Sequence, residues 1–133
     1  MKVFSTRTHG FLDYATAGTL VALPRLLGWS SKVTNTLTVA AIGLTAASLL
    51  TTYELGASKV LPMRGHLALD ALSGAAFLGA PLVFSNEKRD ILGTLVGLGL
   101  FELFAAFTTE PAPSWDERAE QFGEALHDRV VGD

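Results

Sequence analysis

Arg7-Thr8-His9-Gly10-Phe11-Leu12-Asp13 returns later in the chain as Arg64-Gly65-His66-Leu67-Ala68-Leu69-Asp70. Both stretches read R-x-H-x-x-L-D and stand 57 residues apart. At the same offset, with no gap, Pro24 falls on Pro81, Lys32 on Arg89, Val39 on Val96, and Thr51-Thr52 on Thr108-Thr109. Identity between the halves is otherwise low. The matches nevertheless include the ionisable residues set inside the first and third apolar stretches, where chance rarely puts them. A fixed period marks a repeat, here two copies of one unit of roughly 50 residues.

Around this pattern the composition points to a membrane. Of the 133 residues 49% are hydrophobic and only 17% charged, against about 25% charged in ordinary soluble domains. Mean hydropathy is +0.36. The net charge of −3 is mild, and most of the acid sits in the last 24 residues. No basic stripe marks a nucleic-acid partner. With no cysteine, disulfides, thiolate metal sites and cysteine catalysis are excluded. The first apolar stretch carries Asp13 and lacks a small-residue cleavage site, so it is expected to stay as an uncleaved membrane helix.

Four candidate spans follow. Gly10–Leu27 is the first, with Asp13 near its start and Pro24 near its end; Gly28–Lys32 is a turn. Val33–Tyr53 holds no charged residue over 21 positions, where about 20 residues suffice to cross the hydrocarbon. Glu54–Pro62 is a loop, His66–Phe84 the third span, Ser85–Asp90 a charged turn and Ile91–Thr109 the fourth. Pro111 and Pro113, which lack a backbone N–H, end that helix. A soluble bundle would show polar stripes at a 3.6-residue period, and these stretches do not. Small residues at four-residue spacing (Gly18/Ala22, Gly43/Ala47, Gly93/Gly97) are read as close helix contacts.

The predicted fold class is therefore all-α. It is an integral membrane four-helix bundle of two tandem helical hairpins, residues 1–57 and 58–110, plus a C-terminal amphipathic helix over 111–133. Two spans per unit make the units cross in the same sense, related by a pseudo-twofold axis along the membrane normal. The amino terminus, middle loop and tail then share one face. That face carries Lys2, Arg7, Lys59, Arg64 and Arg118 near the spans, against Arg25, Lys32, Lys88 and Arg89 opposite. The excess of one places both termini in the cytoplasm. In the tail, Ser114-x-x-Glu117 reads as a capping box. Trp115, Ala119, Phe122, Leu126 and Val130 form an apolar stripe, expected to dock on the bundle's own end or on a partner.

The chemistry rests on ionisable groups inside the spans. His9 and Asp13, and likewise His66 and Asp70, are four apart and share a helix face. Glu102 lies deep in the fourth span, at an ungapped position matching Thr45. An ionised carboxylate facing lipid costs at least about 2.5 kcal/mol. Arg7, His9, Asp13, Arg64, His66, Asp70 and Glu102 are thus expected to face inward as one polar cluster. They would pair with each other, with Tyr14 or with threonine hydroxyls, and His9 would answer Asp70 while His66 answers Asp13. Three readings compete. The favoured one is a structural clamp fixing the register of the hairpins, with no cofactor and no catalysis. In the second, His9 and His66 bind haem axially, or the two His–Asp pairs hold a divalent metal. In the third, buried carboxylates with histidine pass protons or a small solute, which four spans per chain support only in an oligomer. No nucleophile arrangement and no glycine-rich phosphate loop is apparent.

Arg-x-His-Gly-x-Leu-Asp-Tyr (Arg7–Tyr14), Thr-x-Tyr-Glu-Leu-Gly (Thr51–Gly56) and Leu-Pro-Met-Arg-x-His-Leu-Ala-Leu-Asp (Leu61–Asp70) resemble the SPW-repeat family of small bacterial integral membrane proteins. The resemblance covers about residues 5–109 and leaves out the acidic tail. At the signature itself the chain has Leu23-Pro24-Arg25 and Ala80-Pro81-Leu82, so only the proline is kept. The resemblance implies four membrane helices in two repeats, a bacterial inner-membrane location and no particular activity. A homo-oligomer or a subunit of a membrane complex is the expected setting, with the lipid bilayer as solvent.

Overall fold

Ser5 begins the first helix. Its hydroxyl accepts the Thr8 backbone N–H at 3.2 Å, satisfying one of the donors a helix start leaves unpaired. In the computed structural model, which describes residues 2–131, the elements are α1 (Thr6–Leu26), α2 (Ser31–Leu50), α3 (Met63–Val83), α4 (Arg89–Thr108) and α5 (Ser114–Val131). The described residues contain no strand, only isolated bridges at Phe4·Thr109 and Thr51·Leu61. Both α1 and α3 start earlier than hydropathy alone suggested, because their polar first turns are helical too. By contrast α2 stops at Leu50, which leaves Tyr53 in the loop.

Helices α2, α3 and α4, at 20, 21 and 20 residues, are long and apolar enough to cross a membrane. At about 1.5 Å per residue each spans roughly 30 Å. Helix α1 has the length, 21 residues, but Arg7, Asp13 and Arg25 keep its composition below the level of the other three. Large apolar side chains point outward along these helices, among them Ile42 at 64% exposed and Leu72 at 68%. A water-soluble protein rarely leaves that much contiguous apolar surface uncovered, and a lipid bilayer suits it.

Helix α1 packs on α2 and α3 on α4, each pair closed by a short turn. Gly28, at φ +62, ends α1. Its N–H reaches Arg25 O at 3.4 Å while Trp29 N–H reaches Pro24 O at 2.9 Å, the paired bonds of a Schellman cap. Near the turns all four helices share one core: Ala17 and Leu20, Val33, Leu37 and Ala41, Phe77 and Ala80, Ile91 and Leu95. Lipid tails are as apolar as leucine, so close packing rather than water exclusion is what stabilises such a core.

Helices α3 and α4 approach closely at Gly74 and Gly99. A Cβ on Gly99 would stand 2.7 Å from the Gly74 carbonyl oxygen. The glycines expected to make such contacts do not, since Gly18, Gly43, Gly93 and Gly97 have open space where a Cβ would stand. Four-residue spacing puts small residues on one face without saying which face meets a neighbour.

The far ends are tied by matching backbone bonds. Val3 and Phe4 N–H both reach Thr108 O, and Glu110 N–H reaches Phe4 O. In the middle loop Val60 and Leu61 N–H both reach Leu50 O, and Thr52 N–H reaches Leu61 O. The correspondence runs at 57 residues up to the hairpin turn and 58 after it. The turn before α4, residues 84–88, is one residue longer than that before α2, residues 27–30. Thr51 therefore matches Thr109, and Glu102 matches Leu44, where the ungapped comparison paired them with Thr108 and Thr45.

Helix α5 touches the rest of the chain near its start. Trp115 is half-buried, with Lys59 Nζ 4.3 Å from its ring centre. Phe122 and Leu126 are exposed, so among the described residues of the stripe Trp115 is the one that meets the rest of the chain. The proposed cap from Ser114 to Glu117, and Val130, involve side chains outside the described residues.

Candidate functional site

One helical turn separates His9 from Asp13 on α1 and His66 from Asp70 on α3, so each pair projects from one side of its helix. These two faces meet. His9, Asp13, His66 and Asp70 are all buried, and one donor atom from each lies within 4.8 Å of every other. The closest links cross between helices: His9 Nε2 stands 2.9 Å from Asp70 Oδ2 and His66 Nε2 3.1 Å from Asp13 Oδ2. Within each helix the spacing is 3.3 Å for His9–Asp13 and 3.2 Å for His66–Asp70. The imidazole rings lie edge to face, their centres 5.4 Å apart.

Each imidazole is oriented from behind. Thr109 Oγ1 lies 2.8 Å from His9 Nδ1, and Thr51 Oγ1 lies 2.8 Å from His66 Nδ1. A threonine hydroxyl has one proton, and each of these also stands 2.6 Å from the carbonyl four residues back, Ala105 or Ala47. When the proton goes to that carbonyl the hydroxyl oxygen accepts from Nδ1–H, and when it goes to Nδ1 the ring hydrogen sits on Nε2 and faces the aspartates. With Nδ1 protonated, both Nε2 atoms face carboxylate oxygens, and a cation has to stand between them: a proton on Nε2, a proton on a carboxyl, or a metal ion. His66 Nε2 aims at neither carboxylate squarely enough to form a hydrogen bond.

The aspartates are held unequally. Asp13 Oδ2 accepts from Ser48 Oγ at 3.2 Å and from the Tyr53 hydroxyl at 3.4 Å. The Tyr53 ring covers Gly10, where a Cβ would collide with its Cε2. Asp70 instead borders a crevice of about 300 Å³ between α2 and α3, lined also by Ser73, Leu44, Phe77 and Glu102. Glu102 is buried and accepts from Ser73 Oγ at 2.9 Å. It adjoins the four-residue cluster rather than completing it.

No protein-family model, curated protein or solved structure matches this chain.

Geometry alone therefore decides which residues come together. Arg7 and Arg64, expected in the cluster, are exposed. Each sits two residues before its histidine, about 200° round the helix, so it cannot share the inward face. Tyr14 also points elsewhere, donating to the Leu55 carbonyl at 3.1 Å. Thr51, Thr109, Ser48, Tyr53 and Ser73 were not singled out from sequence. A signal for the threonines existed in the paired Thr-Thr steps, but the extra turn residue shifted the match by one. The arrangement gives haem no room. Carboxylate oxygens stand 2.9–3.3 Å from both Nε2 atoms, where a porphyrin plane would have to pass. A polar route for a solute is equally lacking in the crevice, whose wall beyond Asp70, Ser73 and Glu102 is apolar.

Proposed function

We propose that the chain is a small, non-catalytic integral membrane protein that crosses the bilayer four times. Two copies of one helical hairpin, related by a pseudo-twofold axis, are joined at their centre by the histidine–aspartate tetrad. The observation that carries this reading is the crossed approach of His9 to Asp70, a hydrogen bond at 2.9 Å, and of His66 to Asp13, a contact at 3.1 Å, each histidine backed by an equivalent threonine. A contact repeated under exchange of the halves is what a twofold clamp requires. The matching backbone bonds at the helix ends support the repeat, as does the motif resemblance to the SPW-repeat family.

On this reading α1 is the fourth span. Its buried Asp13 faces the other members of the tetrad rather than lipid, and the exposed Arg7 and Arg25 stand one near each end of the helix, where long side chains reach the interface. A bacterial inner membrane with both termini cytoplasmic follows from the resemblance and from the lysine and arginine balance. Assembly with further copies or with another membrane subunit is the setting in which a protein without catalytic groups acts.

A double-mutant cycle tests the clamp. His9→Ala and Asp70→Asn should each lower the stability of the detergent-solubilised protein, and the pair together by less than the sum. A coupling of about 0.5 kcal/mol or more is expected for residues in direct contact. Additivity within about 0.3 kcal/mol would remove the clamp.

A further inference from the structure

We infer that the tetrad His9, Asp13, His66 and Asp70 is a four-coordinate site for a divalent transition-metal ion of the zinc type. This deepens the clamp reading by naming what the clamp holds, and it rests on that reading for the meeting of α1 with α3. Three observations carry it.

The first is spacing. Zinc keeps nitrogen and oxygen ligands about 2.0–2.2 Å away in a tetrahedron, which sets neighbouring ligand atoms roughly 3.3–3.6 Å apart. Asp70 Oδ2 lies 2.9 Å from His9 Nε2 and 3.2 Å from His66 Nε2, Asp13 Oδ2 lies 3.1 Å from His66 Nε2, and one donor atom from each residue lies within 4.8 Å of all the others, so the short pairs open and the longer ones close when an ion takes the centre.

The second is the orphaned nitrogen. His66 Nε2, fully buried, points between two carboxylates and bonds to neither. A hydrogen-bond donor would turn toward one oxygen, whereas a metal ligand aims its lone pair at the centre of the group. Thr51 and Thr109 each offer an acceptor oxygen to Nδ1, so both rings can carry their hydrogen there; His66 Nε2 is then free to coordinate, and His9 Nε2 exchanges its bond with Asp70 Oδ2 for the ion. A hydrogen-bond acceptor behind each metal-bound histidine is the usual supporting shell.

The third is charge. Two carboxylates with two neutral imidazoles and one divalent ion sum to zero, the state a low-dielectric interior favours. Imidazole ligands and the absence of cysteine argue against soft monovalent copper. Only four protein donors, two of them nitrogen, argue against calcium and magnesium, which seek six or more oxygens. All four donors come from the protein and all are buried, so the site is of the closed, structural kind.

The test uses the full chain in detergent, stripped with a chelator and then dialysed against Zn²⁺ or Co²⁺. One Zn²⁺ per chain by mass spectrometry, and the visible bands of tetrahedral Co²⁺, are expected. His9→Ala and His66→Ala should lose the metal, and His127→Ala, on the exposed tail, should keep it. Thr51→Val should weaken binding by about 10- to 100-fold, a readout that survives if the histidine variants fail to fold. Substoichiometric metal in the wild type, or binding unchanged in both His9→Ala and His66→Ala, would overturn the inference. In either case the His9–Asp70 cycle, measured on the metal-free protein, separates the two readings. Persistent coupling removes only the metal, and lost coupling removes the clamp as well.

Discussion

Thr109 and His9 lie 100 residues apart in sequence, yet Thr109 Oγ1 bonds His9 Nδ1 at 2.8 Å while also standing 2.6 Å from Ala105 O. One hydroxyl at the end of α4 thus holds one imidazole nitrogen and turns the other toward the aspartates.

That relationship sets the first prediction. Thr109→Val keeps the shape and removes the hydroxyl, leaving the buried His9 Nδ1 unpaired. Such a loss costs about 1–3 kcal/mol. Thr109→Ser keeps the oxygen and should cost less. Unfolding in detergent is the measurement, and equal effects of Val and Ser would show that the hydroxyl does not orient His9.

A second prediction contrasts two glycines on α4. In Gly99→Ala the new methyl would stand 2.7 Å from the Gly74 carbonyl oxygen and 2.9 Å from Leu78 N. Those atoms are backbone and cannot swing aside, so α3 and α4 must separate, at about 1–3 kcal/mol for overpacking. Gly97 has open space at that position, so Gly97→Ala should be neutral or mildly stabilising. Comparable loss in both variants would mean that the helices do not touch at Gly74 and Gly99.

Tyr53, in the loop after α2, yields a pH prediction. Burial pushes its phenol well above the usual tyrosine range, and the nearby Asp13 charge adds to that, while a bond with Ser48 works the other way. The folded chain therefore holds this proton more tightly than the unfolded chain does. The corresponding stability is complete below pH 10.0, the ordinary value, and falls as pH rises beyond it. Tyr53→Phe should lose less stability than the wild type between neutral pH and about pH 11. Parallel pH curves for the two proteins would contradict the burial of this hydroxyl.

Lys59 and Trp115 supply the fourth. The ammonium over the indole is worth about 0.5–1 kcal/mol at an exposed site and ties the start of α5 to the middle loop. With Trp29→Phe as background, Lys59→Ala should shift Trp115 emission to longer wavelength. An unchanged spectrum would show that Trp115 is held by something other than Lys59.

Helix content and the apolar character of α2, α3 and α4 were legible in the sequence, because hydropathy and length are local properties that need no partner to be read. The pairing of His9 with Asp13, and of His66 with Asp70, was legible too, since four-residue spacing on a helix leaves no other geometry. The start of α1 was less so, as its capped first turn, Thr6–His9, is polar and escapes a hydropathy window. The tail's amphipathic pattern was visible in the residues, but a stripe does not say what covers it, and in this chain Phe122 and Leu126 stay uncovered.

The sequence by itself determined which side chains carry charge into an apolar helix and how far apart along that helix they stand. Only the tertiary structure decided that Thr51 and Thr109 orient the imidazoles, and that Glu102 stands beside the tetrad without joining it. The physical reason is rotation. Each residue turns the helix face by about 100°, so one extra residue in the turn before α4 swings every later side chain to a new direction. That turn moved the match from Thr108 to Thr109 and put Leu44, rather than Thr45, opposite Glu102. A period read along a chain carries no record of such an insertion until the two hairpins are packed together and their hydrogen bonds can be compared.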